Sequence, residues 1–283
     1  MQPETDTIPS ATLQAEKGKF LIAAANGLAI YVLTYYVVWG LQQAAEVGVA
    51  WFYELHGTWG PSRIAYRMAD AEWWPAAIIA AHGIGPLVSL LLGVVAFAWY
   101  WRSERAQRGL FKLLLLWTAF HCCNTVFGAL LTDTFVQSGF WYVPDWLFQA
   151  GNVVNTLLAI LAGLVQVALG YFGALAFLQA HDSRTVMQFT NRRLMVVATL
   201  VIPWVMGGAL IALLKLPYLS MQEGLHLVGM GLLVVPLAAA CLNELFSNTV
   251  RRPQPTYVAW GLVGLALVMA IAWRALLNPP MIF

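Results

Sequence analysis

The sequence predicts an all-α protein, a polytopic transmembrane helix bundle of about seven spans with its N-terminus cytoplasmic and its C-terminus outside. Three observations predict it. First, 60% of the 283 residues are hydrophobic and only 10% are charged, against roughly 25% charged in soluble domains. Second, a helix needs about 20 apolar residues to cross the hydrocarbon. Seven stretches qualify: 20–42, 76–100, 110–133, 151–179, 194–215, 224–245 and 257–277. Third, eleven of the fifteen Lys and Arg residues fall on one side of such a seven-fold path. They are Lys17 and Lys19; Arg102, Arg105, Arg108 and Lys112; Arg184, Arg192 and Arg193; and Arg251 and Arg252. The positive-inside rule puts that side in the cytoplasm of a cell (inner) membrane.

The elements follow in order. Residues 1–18 are polar, carry two prolines and predict a disordered cytoplasmic tail. Residues 19–283 form a single transmembrane domain. Residues 43–75 read as a long outer loop, with Trp51, Trp59, Trp73 and Trp74 suited to the headgroup belt. The second span opens on "AAHGIGPLVSLLLG" at 80–93, where Gly85, Ser89 and Gly93 recur every fourth residue. Such a small-residue stripe lets a neighbouring backbone approach closely. The third span places His121, Asn124 or Thr125, Gly128 and Thr132 along one face, and leads into an aromatic outer loop at 137–146. The fourth carries Asn152, Asn155 and Gln166, and the sixth opens with Glu223 and His226.

A net charge of +2 excludes a nucleic-acid partner, because the basic residues sit in short clusters and not along a face. The partners expected are the lipid bilayer and other transmembrane helices or subunits. Cys122, Cys123 and Cys241 lie inside apolar runs and read as small buried hydrophobes.

Ionisable groups within spans are functional candidates by default. The predicted metal ligands are His82, His121, Glu223, His226, Glu46 and Asp145, most of them in the outer half, with zinc or iron as the transition metal. The competing reading is that these groups only hold helices together, since no His-x-x-x-His or His-Glu-x-x-His pair exists.

"GIGPLVSLLLGVVAF" followed by "GLFKLLLLWTAFHCCNTVFGALLTDTFVQSGFWYVPDWL" resembles the membrane core of site-2-protease-like proteins. The likeness covers residues 30–150. It implies a metal-binding helix before the long loop, where this chain has "GLQQAAEVG". Gln42, Gln43 and Glu46 stand at the positions of the family's His-Glu pair and second His, and Asp145 at its Asp ligand. The resemblance therefore implies a pseudoprotease, a scaffold that binds transmembrane segments without cutting them. The alternatives are a membrane metalloenzyme or haem protein with an outward-facing His/carboxylate site, and a small-solute transporter lined by Asn152, Asn155 and Gln166.

Overall fold

The computed structural model describes residues 10–69, 72–103, 109–149, 151–244 and 253–283. Six helices are long and apolar enough to cross a membrane, and a shorter apolar one follows. They are α1 (Ser10–Phe52), α2 (Pro75–Ser103), α3 (Gly109–Val136), α4 (Gly151–Gln179), α5 (Phe189–Lys215), α6 (Met221–Cys241) and α7 (Trp260–Leu276). The chain is thus a polytopic helical bundle. α1 is its axle, packed against α2, α3, α5 and α7, while α4 packs on α6 and the second half of α3.

α1 is the main departure from expectation. Residues 43–52, assigned to a loop, continue the helix, and of the predicted tail residues 10–18 are helical while residues 1–9 lie outside the described region. Low hydropathy ends a predicted span but does not end a helix: Ala44, Ala45 and Glu46 are strong helix formers. At about 1.5 Å per residue, 43 residues reach roughly 64 Å, about twice the hydrocarbon thickness. The helix closes where Glu54 takes a left-handed conformation and Leu55 N–H donates to the Ala50 carbonyl at 2.8 Å.

Further along this segment lies an antiparallel hairpin, β1 (Gly57–Trp59) and β2 (Ile64–Tyr66). A third strand, β3 (Met281–Ile282), pairs antiparallel with β1, giving the order β2-β1-β3. Strands of two or three residues leave no periodic signal in a sequence. The second outer loop contains a 3₁₀ turn, Gly139–Trp141, and a short helix, Tyr142–Phe148.

Two spans contain π-helical turns, Asn124–Gly128 in α3 and Val197–Val201 in α5. The small-residue stripe of α2 does face its neighbours. A Cβ at Gly85 would lie 2.6 Å from Gln42 of α1, and one at Gly93 would lie 2.8 Å from Cys122 of α3. The tightest approach is between α4 and α6, where a Cβ at Gly170 would meet the Leu233 carbonyl oxygen at 2.2 Å.

The ends of the bundle sort as the basic residues predict. At one end Lys19 Nζ donates to Thr185 Oγ1 (2.9 Å), and Lys112 Nζ pairs with Asp182 (3.1 Å). Asp182 also accepts from Gly109 N–H, and Asn26 Nδ2 donates to the Tyr257 carbonyl at 2.8 Å. The beginnings of α1, α3 and α7 and the α4–α5 turn therefore meet at one face. Arg105, Arg108, Arg251 and Arg252 lie outside the described residues. His181 sits on this face outside the spans, and burial lowers its pKa to about 4.

Candidate functional site

The opposite end is built around two buried polar braces. In the first, Lys215 at the end of α5 forms an ion pair with Glu223 in the first turn of α6. Tyr35 of α1 donates to the same carboxylate at 2.6 Å and accepts from Lys215 Nζ at 2.8 Å. Ser62, in the hairpin turn, donates to the other carboxylate oxygen. The ammonium also lies 4.5 Å from the Trp39 ring centroid and 4.9 Å from that of Tyr35, a cation–π arrangement. Lys215 and Glu223 are each 1% exposed. Ser220 fixes the start of α6 by accepting from Glu223 N–H at 3.2 Å, as N-cap serines do.

The second brace joins α3 to α6. His226 Nε2 lies 2.6 Å from Asp133 Oδ1, which also accepts from Gln222 Nε2 at 2.9 Å. Asp133 Oδ2 accepts from Phe140 N–H at 2.8 Å. Facing a carboxylate, Nε2 must carry the proton, which leaves Nδ1 without one in the neutral ring. One turn deeper, Asn124 in the π turn donates to the His226 carbonyl (3.0 Å) and accepts from Gln166 of α4 (2.8 Å).

Between the braces lies a cavity of about 330 Å³, walled by α1, α3, α6, the hairpin turn and the 3₁₀ turn. Gln42, Gln43 and Glu46 of α1 border it with His82, Asp133 and Glu223. Gln43 Oε1 accepts from the Trp59 indole at 2.7 Å, and Glu46 accepts from the Tyr66 hydroxyl at 3.2 Å. Burial and the nearby Glu46 carboxylate raise the pKa of Tyr66, which keeps it a donor. His82 lies among aromatic rings, with centroids of Tyr142 at 5.0 Å, Tyr66 at 5.7 Å and Trp73 at 6.1 Å. Four residues of this wall carry a buried polar atom with no hydrogen-bond partner among the described residues: Gln42 Oε1, Trp39 Nε1, Ser138 Oγ and His226 Nδ1. Trp39 and His226 also border a smaller inner pocket of about 20 Å³ with His121 and Tyr31.

Of the six predicted ligands, Glu46, His82, Glu223 and His226 share the cavity. His121 does not: its Nε2 lies 3.1 Å from the Tyr31 carbonyl, in the inner pocket. Asp145 does not either, since it accepts from Asn155 at 2.9 Å on the α4 side. Among the described residues, no three His, Cys, Asp or Glu side chains gather closely enough to hold a metal ion. Asn155 and Gln166, expected to line a path, instead tie α4 to Asp145 and Asn124.

Sequence reasoning missed Lys215, Tyr35 and Ser62, and it named His226 without its partner Asp133. The one available signal was Lys215 itself, a lysine terminating an apolar run eight residues before an equally isolated Glu223. No known protein family, curated protein or solved structure matches this chain. Fold and site together define a class: a multi-pass helical protein of membrane composition with a cavity lined by polar groups at one end of its bundle.

Proposed function

We propose that this is a non-proteolytic, site-2-protease-like membrane protein that binds a small polar solute in the 330 Å³ cavity. One observation carries the reading: four residues lining this cavity each hold a buried polar atom without a partner among the described residues. Leaving such an atom unsatisfied costs about 1–3 kcal/mol, and an occupant with matching groups recovers it. The buried ionisable groups around the cavity are committed to one another, Lys215 to Glu223 by an ion pair and Asp133 to His226 by a hydrogen bond. They brace the walls and leave the unmet atoms for recognition.

The non-proteolytic part rests on α1. Gln42 and Gln43 occupy the wall at the positions where the resemblance calls for a His-Glu pair, and an amide cannot serve as the general base that a glutamate provides. With the arginine-bearing turns in the cytoplasm, the cavity opens on the outer side of the cell membrane.

Thermal unfolding of the full chain in nanodiscs, against a panel of small amines, amides, amino acids and sugars, tests the reading. Ala129 borders the cavity and is 2% exposed, so Ala129→Phe fills it. At least one solute should raise the Tm of the parent and leave that of the filled variant unchanged. A panel that shifts neither, or both equally, refutes it.

A further inference from the structure

The unmet groups state what the occupant must bring. Gln42 and Glu46 stand one turn apart on the cavity face of α1. Gln42 Oε1 accepts nothing, and among the described residues Glu46 accepts only from Tyr66. His226, 7% exposed, turns Nε2 to Asp133, and its Nδ1 has no partner among the described residues, an acceptor when the ring is neutral. These are three acceptors, one of them a carboxyl group that a bound cation would hold in its charged form. Trp39 Nε1 is the unmet donor, and it also borders the inner pocket.

The other carboxylates are taken: Asp133 accepts from His226, Gln222 and Phe140, and Glu223 from Lys215, Tyr35 and Ser62. Among the cations, Lys215 is spent on Glu223, and Arg63, an exposed side chain on the hairpin turn, borders the cavity from the solvent side. Trp39, Phe140 and Tyr142 complete the wall, and aromatic faces favour cations.

We propose that the cavity takes a small organic cation bearing N–H donors, a protonated primary amine or amidine. Glu46 is its counter-ion, and Gln42 and His226 are its hydrogen-bond acceptors. The inference rests on the solute-binding reading above. An ammonium group offers three donors and one positive charge, which matches three acceptors and one uncommitted carboxylate. A quaternary ammonium satisfies the charge but no acceptor, and an anion meets Glu46 unfavourably.

A thiol in the cavity reads both points. Ser138 Oγ is one of the unmet atoms, so Ser138→Cys puts the thiol there with little change in volume. Three methanethiosulfonates are compared on the full chain in detergent: aminoethyl, trimethylammonioethyl and sulfonatoethyl. Rates are taken from mass spectrometry of the peptide containing position 138 and normalised to a free thiol. The aminoethyl reagent should react at least tenfold faster than the sulfonate and severalfold faster than the trimethylammonio reagent. Glu46→Gln should collapse the first ratio. Gln42→Leu, which removes an acceptor without touching a charge, should shrink the second.

Equal rates for all three reagents would overturn the amine and leave the cavity reading standing. So would an aminoethyl preference that survives both substitutions. No modification at position 138 by any reagent would sink both, because nothing then reaches the cavity.

Discussion

Two pairs of helices in this bundle invert the rule of soluble proteins. α3 and α1 are the least apolar of the six long helices, and 67% and 61% of their most apolar windows are buried. α2 and α4 are more apolar, yet only 33% of each is buried. α2 turns Leu91, Val94 and Val95 outward, each more than half exposed, and α4 does the same with Leu157, Leu161 and Leu164. In water, burial follows hydropathy. Where lipid is the solvent, apolar side chains gain nothing by turning inward, and buried positions go to groups that need partners. The polar seam of α1, α3 and α6 therefore holds the bundle's specificity, while the faces of α2 and α4 set its solvent.

The sharpest way to break this comparison is at Lys215. Lys215→Ala leaves Glu223 buried without its cation, and the expected loss is about 3–5 kcal/mol. Removing both partners together, as Lys215→Met with Glu223→Leu, should restore much of it. A double-mutant cycle on unfolding in detergent measures the difference, and additive losses would show that the pair is not a unit. Next comes Gly170→Leu, which drives a side chain into the Leu233 carbonyl. Such overpacking costs about 1–3 kcal/mol, whereas Gly163→Leu should cost less because it meets only the end of the Leu131 side chain.

Asn124→Leu removes the links to His226 and Gln166, an expected loss of about 0.6–2 kcal/mol in the same measurement. At the basic face the lever is pH. His181 is neutral in the fold, with its pKa lowered to about 4, while the unfolded chain protonates near 6.5. Between those values the unfolded state binds more protons, so stability should fall as pH drops through that window. His181→Phe should flatten the dependence between pH 6.5 and 4. The smallest effect belongs to the lipid face: Leu161→Ala, at a site 57% exposed, should change stability by no more than about 0.5 kcal/mol. A loss like that of Asn124→Leu would mean that α4 is covered by protein.

Much of the architecture was legible because hydropathy and basic residues report directly on the solvent each segment meets. The seven apolar stretches, the face shared by Lys19 and Lys112, and the tight stripe of Gly85 and Gly93 all follow from local pattern. The site was legible in its members and not in its pairings. Tyr35 and Glu223 are 188 residues apart, Ser62 and Glu223 161, and Asp133 and His226 93. No spacing rule connects partners at those distances. Lys215 read as one more outer-loop cation, because a sequence cannot distinguish a lysine facing water from one enclosed by Tyr35 and Trp39. The extension of α1 was missed for the reason that makes it useful: it carries Glu46 past the apolar run while remaining rigid.

The π turn at Asn124–Gly128 sets the phase of everything beyond it on α3. An extra residue in one turn rotates the following segment by about 100° relative to an uninterrupted helix. Before the turn, His121 points to α1; after it, Asp133 points to α6. Winding the same residues as a regular α-helix would swing Asp133 about a quarter-turn out of line with His226, whereas deleting one residue such as Val126 would absorb the bulge and keep Asp133 in phase. The wide turn thus lets a single helix keep two angular appointments, and a substitution that tightened it to a regular α-turn would cancel the second without altering any side chain at the cavity.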